Sequence, residues 1–215
     1  MISIIIPTKN ESFINQLIQE LHNVLVGIIH EIIVVDKSAV PPVIADAKLI
    51  IQKSDGLGKA VLEGLDYARG DVIVTMDGDG SHRPVDVLKL LNKINGFDIV
   101  IGSRFVSGGI TKDPTHRRLI SFVFRKIASF VLDLGVEDSM SGFAAVKKEV
   151  YENLQLNPLG YKINMEIIFK GKKQGYKACE VPIHFEKRKL GRSKAGVREA
   201  FRILRYIFKL KLRLR

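Results

Sequence analysis

At 215 residues the chain suits one α/β domain with a full core and at most a small appendage. Its 46% hydrophobic and 27% charged residues describe a globular protein, and no run reaches the roughly 18 uninterrupted apolar residues of a membrane span, which excludes a chain that crosses a bilayer by itself. A net charge of +11 points to an anionic partner, whether nucleic acid, a phosphorylated substrate or an acidic membrane surface, without choosing among them.

In chain order, ISIIIP (2–7) predicts a strand closed by Pro7, and Phe13, Leu17, Ile18, Leu21, Val24 and Leu25 then recur at helical spacing. EIIVV (31–35) and KLIIQ (48–52) read as strands and AVLEGLDYA (60–68) as a helix. VIVTM (72–76) is the next strand, VDVLKLLNKI (85–94) a helix and FDIVIGSR (97–104) a strand. Such alternation predicts an α/β fold, a mostly parallel sheet flanked by helices with ligands at the carboxyl ends of its strands. A long loop, SRFVSGGITKDPTHRR, follows, and then a helix through LISFVFRKIASFVL. YKINMEIIFKGKKQG reads as a helix closed by Gly175, and KACEVPIHFEKR as a strand interrupted at Pro182.

The domain reading is a body over 1–195 and a basic amphipathic helix over 196–215. In that helix Arg198, Arg202, Arg205 and Lys209 recur at helical spacing beside a stripe of Phe201, Leu204, Ile207 and Phe208. It is expected either to lie on an anionic bilayer or to dock its stripe on the domain, and the period-two KLKLRLR predicts fraying at its end. Cys179 is the only cysteine, so no intrachain disulfide forms and a reducing compartment is expected. The N-terminus enters strand-like sequence at once, which predicts no secretory signal.

The stretch VIVTMDGDGSHRP ends an apolar run on Asp77 and Asp79. In an extended segment the two carboxylates face one side, and their repulsion is relieved by a hard divalent cation that also binds phosphate oxygens. An ordinary aspartate-glycine turn is the competing reading. A calcium loop is excluded, because His82 and Leu88 occupy the places of its glycine and terminal glutamate. KSDGLGKA sets Lys59 and two glycines between a strand and a helix, where backbone amides suit a phosphate. A plain glycine-eased helix start explains it equally, and neither a Walker loop nor a complete dinucleotide fingerprint is present.

Arg104, Arg117, Arg118 and Arg125 offer guanidinium forks for a phosphate monoester, or form a solvated basic face. EDSMSGF alone reads as a turn. RKLGRSK (188–194) is a cationic glycine-containing loop suited to closing over a pyrophosphate, or a flexible basic linker. The histidines at 22, 30, 82, 116 and 184 show no metal-ligand spacing.

Taken together and in this order, ISIIIPTKNE, VVD at 34–36, GLGKA, MDGDGSHRP, IGSRF, DSMSGF, YKINMEI and RKLGRSK resemble the family 2 glycosyltransferases of the GT-A fold, and within them the dolichyl-phosphate mannose synthases. The resemblance covers nearly the whole chain. It implies that Pro7 and Glu11 frame a nucleotide, that Asp36 contacts its base or ribose, and that Lys59 belongs to the same donor site. Asp77 and Asp79, with Ser81 where a glutamine often stands, would hold Mg2+ or Mn2+ against the donor diphosphate. Arg188, Ser193 and Lys194 would hold that diphosphate, and Arg104 and Arg117 the phosphate of a lipid acceptor. Asp138, Ser141 and Glu166 would shape the sugar and acceptor side.

The activity so implied is metal-dependent, inverting transfer of a hexose, mannose from GDP-mannose, to dolichyl or polyprenyl phosphate on the cytoplasmic face of a membrane. The basic C-terminal helix or a membrane-anchor subunit would supply attachment. VVDKSAVPP departs from the family's VVDDGS after Asp36, which keeps UDP-glucose as a rival donor and a non-catalytic nucleotide- or membrane-binding relative as a rival role. Nucleic acid is not expected as a partner, since no recognised binding motif accompanies the charge.

Overall fold

The structure, a computed structural model, describes residues 1–112, 114–160, 162–186 and 197–213, without the side chains of residues 116, 117, 120, 197–201 and 213. Its strands are β1 (Ile2–Thr8), β2 (His30–Asp36), β3 (Lys48–Ile51), β4 (Val72–Thr75), β5 (Ile99–Ser103), β6 (Ile110–Thr111), β7 (Ala144–Lys147), β8 (Ala178–Pro182) and β9 (His184–Phe185). The helices are α1 (Ile14–Val24), α2 (Leu57–Leu65), α3 (Asp86–Ile94), α4 (Thr115–Leu132), α5 (Lys148–Asn153), α6 (Ile163–Lys173) and α7 (Val197–Arg213).

Seven strands form one sheet in the order β3-β2-β1-β4-β7-β5-β8, all parallel except β7, which runs against both β4 and β5. The apolar runs have no polar face because both faces are covered. Ile4, Ile6, Ile32 and Val34 enter one core with α1 and α3, whereas Ile5, Ile33 and Val35 enter the other with α2, α4, α6 and α7. Ile4, Ile5 and Ile6 have no exposed surface, and each such burial is worth about 1.5–3 kcal/mol.

The strand order reverses at β1, so loops after β1 and β4 diverge around a crevice at the carboxyl edge. Because β7 is antiparallel, it brings its amino end, and the turn before it, to that same edge. This short Ala-rich strand is absent from the sequence reading, which ended DSMSGF as a turn.

Other boundaries move for local reasons. α2 starts at Leu57, three residues before its predicted start, with Gly56 at φ 102° opening it. α4 starts at Thr115, so Arg117 and Arg118 stand on a helix rather than in the long loop, and β6 occupies part of that loop. The interruption predicted at Pro182 divides two strands: β8 ends there and extends the large sheet, and β9 pairs with β6 in a separate ribbon.

α7 continues to Arg213, past the predicted point of fraying. Among its described side chains the buried ones are Ile203, Tyr206, Ile207 and Leu210, at spacings of three, four and seven, and they join the core shared with α4 and α6. The docked stripe is therefore turned from the predicted one, and Phe208 faces outward.

Candidate active site

Asp77 follows the last residue of β4 by two positions, just before a turn at Gly78 and Asp79, so it is the loop rather than strand alternation that sets both carboxylates. A Cβ on Gly78 would meet Thr8 Cγ2 at 2.6 Å, which shows how closely this loop passes the end of β1. Gly80 has φ 72° and turns the chain back. Asp79 is buried, and its Oδ1 accepts from the Ser81 amide at 3.0 Å and the Ser81 hydroxyl at 2.5 Å. Ser81, expected as a cation ligand, is fully buried and orients that carboxylate.

The Asp77 side chain is 21% exposed, and His82 Nε2 lies 3.5 Å from its Oδ2. Gly142, in the turn before β7, lies against the same carboxylate, since a Cβ there would be 2.9 Å from Oδ1. The loop is fastened to β9 through the Glu186 amide, which donates to Ser81 O at 2.8 Å, and through a backbone bridge between His82 and Phe185. Residues 187–196 follow directly. Arg188, Ser193 and Lys194 lie outside the described residues.

Across the crevice Asp36 ends β2. Its Oδ1 accepts from the Thr8 and Ser38 hydroxyls, both at 2.8 Å, and its Oδ2 from the Ser38 amide at 2.8 Å. The carboxylate expected at a base or ribose is thus 1% exposed and bonded to the loop that follows it. Lys37, which stands where the family has a second aspartate, donates to the carbonyls of Gln52, Lys53 and Ser54 and pairs with Asp55 at 3.4 Å. It ties the end of β2 to the loop before α2, a role the sequence reading did not assign.

Pro7 is buried within β1, and Glu11 is half-buried in the loop beyond it. Lys59 is exposed in the first turn of α2. The glycines beside it serve a close approach: Gly58 N donates to Gly160 O at 2.5 Å, and a Cβ on Gly58 would meet Pro158 at 2.7 Å. That amide is spent on the protein rather than offered to a phosphate.

Arg104, its side chain 13% exposed, pairs with the fully buried Asp138 at the end of β5. Nε and Nη2 donate to the two carboxylate oxygens at 2.8 and 2.9 Å, and the Arg104 amide donates at 3.0 Å. Removing one partner of such a pair costs about 3–5 kcal/mol, because the other charge stays buried. Arg104 therefore holds the turn before β7 as well as lying at the carboxyl edge. Arg117 is in the first turn of α4, with its side chain outside the described set.

Arg125 is turned inward, donating to the Glu137 carbonyl and carboxylate and lying over Phe105. Ser141 Oγ accepts from the Phe143 amide at 3.2 Å and shapes the same turn. Glu166 is buried away from water, accepting from the Asn157 amide, Lys170 and the Tyr206 hydroxyl. It joins α6 to α7 rather than lining open space.

This arrangement matches known proteins in both sequence and shape. Residues 3–155 match the profile of Glycosyl transferase family 2. A dolichol-phosphate mannosyltransferase of Pyrococcus furiosus is 39% identical over 224 aligned positions, covering 97% of this chain and 63% of that protein. A polyprenol monophosphomannose synthase of Mycolicibacterium smegmatis is 37% identical over 156, covering 67% of this chain and 59% of that protein. The chain thus spans about three fifths of the length of these relatives. Glucosyl-3-phosphoglycerate synthase of Mycobacterium tuberculosis, at 20% identity, superposes with a TM-score of 0.74 over 99% of this chain and 77% of that one, and its fold is GT-A. With the profile running from β1 past β7, through both carboxylate-bearing loops and the turn at Gly142, the chain belongs to glycosyl transferase family 2.

Proposed function

We propose that the chain transfers a hexose from a nucleoside diphosphate sugar to a polyprenyl or dolichyl phosphate, inverting the anomeric carbon. The observation that carries this reading is the Asp77–Asp79 loop, set at the reversal of strand order and fastened to β9, from which the basic segment 188–194 departs. The relatives, named as mannosyltransferases acting on dolichol or polyprenol phosphate, support the acceptor class and make mannose from GDP-mannose the first donor. UDP-glucose is the second, because Lys37 alters the edge where a base would lie and the structural neighbour was crystallised with UDP and Mn2+.

Among the described residues no three His, Cys, Asp or Glu side chains gather into a closed metal cage. Two carboxylates fit instead a Mg2+ or Mn2+ that takes further oxygens from a diphosphate and water. Asp77 and Asp79 would hold it, and when bound it supplies Lewis-acid relief of charge on the leaving diphosphate. Arg188, Ser193 and Lys194 would close on that diphosphate, with Lys59, Pro7, Glu11 and Asp36 framing the nucleotide side. Arg104 and Arg117 would offset the acceptor's charge. A phosphate monoester has its second pKa near 6, so its oxygen is largely ionised at neutral pH and attacks without a strong protein base. The protein's task is to position two anions in line.

No helix among the described residues is long and apolar enough to cross a membrane. Attachment is assigned to the outer faces of α4 and α7, where Leu119, Phe122, Phe130, Phe208 and Leu212 are exposed among Arg118, Lys126, Arg202, Arg205 and Lys209. The face is that of a cytoplasmic membrane surface, reached directly or beside an anchor subunit.

The reading is tested by labelled sugar transfer from GDP-mannose, and separately UDP-glucose, to polyprenyl phosphate in liposomes with Mn2+ or Mg2+. Metal-dependent glycolipid from one donor, lost in Asp79→Asn, is the expected result. No product from either donor, with nucleotide still bound by folded protein, would favour a silent relative.

A further inference from the structure

The imidazole of His82 has no part in the mechanism above, yet it is built into the cation-side loop. It is 3% exposed, stacked on Phe143 with centroids 4.9 Å apart and set edge-on to Phe185 at 5.1 Å. Neither ring nitrogen has a hydrogen-bond partner among the described residues. Phenylalanine would fill such a slot without stranding two polar atoms, so simple packing does not account for a histidine. What the ring does face is Asp77 Oδ2, 3.5 Å from Nε2 and just beyond hydrogen-bond range. The ring is held on two sides by aromatics and at its backbone by Phe185, while Gly142 limits Asp77 from another side. A small turn of the carboxylate is enough to close the gap.

We propose that His82 is a positioning residue for Asp77: its imidazole donates Nε2–H to Oδ2 when a divalent cation engages the carboxylate, and so fixes which way that carboxylate faces. The inference rests on the reading of Asp77 and Asp79 as cation ligands. Loss of a group that orients a metal ligand typically weakens metal binding 10–100-fold.

The test is Mn2+ affinity of the full chain, measured by electron paramagnetic resonance with GDP and then UDP present, for wild type, Asp79→Asn, His82→Phe and His82→Gln. His82→Phe is expected to weaken Mn2+ binding about 10–100-fold with its metal-free melting temperature maintained, and His82→Gln, with an N–H at similar reach, to recover most of the loss. Wild-type affinity in His82→Phe overturns the inference and leaves the cation reading standing. A wild type that binds no better than Asp79→Asn removes both. Should His82→Phe fail to fold, ring-15N spectra of the wild type decide: Mg2+ with nucleotide must shift the His82 Nε2 signal, and an unmoved signal overturns the proposal.

Discussion

A methyl group on Gly142 would stand 2.9 Å from Asp77 Oδ1 and 3.0 Å from Oδ2, so it is the Asp77 carboxylate rather than a backbone angle that demands a glycine here. Alanine there leaves the β7 turn intact but forces Asp77 aside. Because a misplacement near 1 Å can cost about 100-fold in rate, Gly142→Ala should lower sugar transfer about 10–100-fold while the melting temperature moves little. Transfer kinetics beside thermal melts check this, and normal turnover would mean that Asp77 is not held by that fit. The glycine is plain in the sequence, whereas its reason is not: Asp77 and Gly142 meet only because β7 pairs antiparallel beside β4. Arg104 shows the same limit. A guanidinium beside a strand end looks alike in sequence whether it grips a ligand or Asp138, 34 residues away.

The strands were the most legible elements, since β1, β2, β4 and β5 carry apolar runs buried on both faces. Those missed were short: β7 follows a turn, and β6 is two residues inside the long loop. The polar start of β2 escaped notice too, and it is stabilising. Glu31, near the start of β2, accepts from the Ser3 hydroxyl, the Arg69 amide and the Arg69 guanidinium. Burial alone pushes its pKa up, but these donors together hold it below the usual glutamate value. Arg69 is largely in water, so its charge counts for less than the hydrogen bonds. A depressed folded pKa gives stability that is present above the unfolded value, about 4.3, and is lost as pH falls through the folded one. Glu31→Gln should therefore be less stable at pH 7, on the order of 1–3 kcal/mol for bonds to a charged group, with the difference shrinking as pH drops below about 4. Urea midpoints of both proteins across that range would show it, and a pH-independent difference would count against the ionised carboxylate.

At the scale of the whole molecule, the net charge of +11 coexists with an acidic loop at the carboxyl edge, so the excess must act elsewhere. Composition announced an anionic partner, but only the docking of α7 shows which basic residues remain outward. That docking also rules out the simplest deletion experiment. Removing 197–215 would take away Ile203, Ile207 and Leu210, uncover the core of α4 and α6 that they cover, and strip Tyr206 from the buried Glu166, so lost liposome binding would be confounded by lost packing. Reversing charge leaves the stripe untouched, because Arg202, Arg205 and Lys209 are exposed. Each basic residue near an anionic bilayer is worth about 1 kcal/mol, and about 1.4 kcal/mol is tenfold in binding. Arg202→Glu, Arg205→Glu and Lys209→Glu together should then cut flotation with anionic liposomes by about 100-fold or more, with an unchanged circular dichroism spectrum. Wild-type flotation should fall with added salt, since exposed charges are screened within about 10 Å at 0.1 M. If the triple variant floats like wild type, attachment does not run through α7, and the lipid acceptor must be presented to the Asp77 edge from another surface.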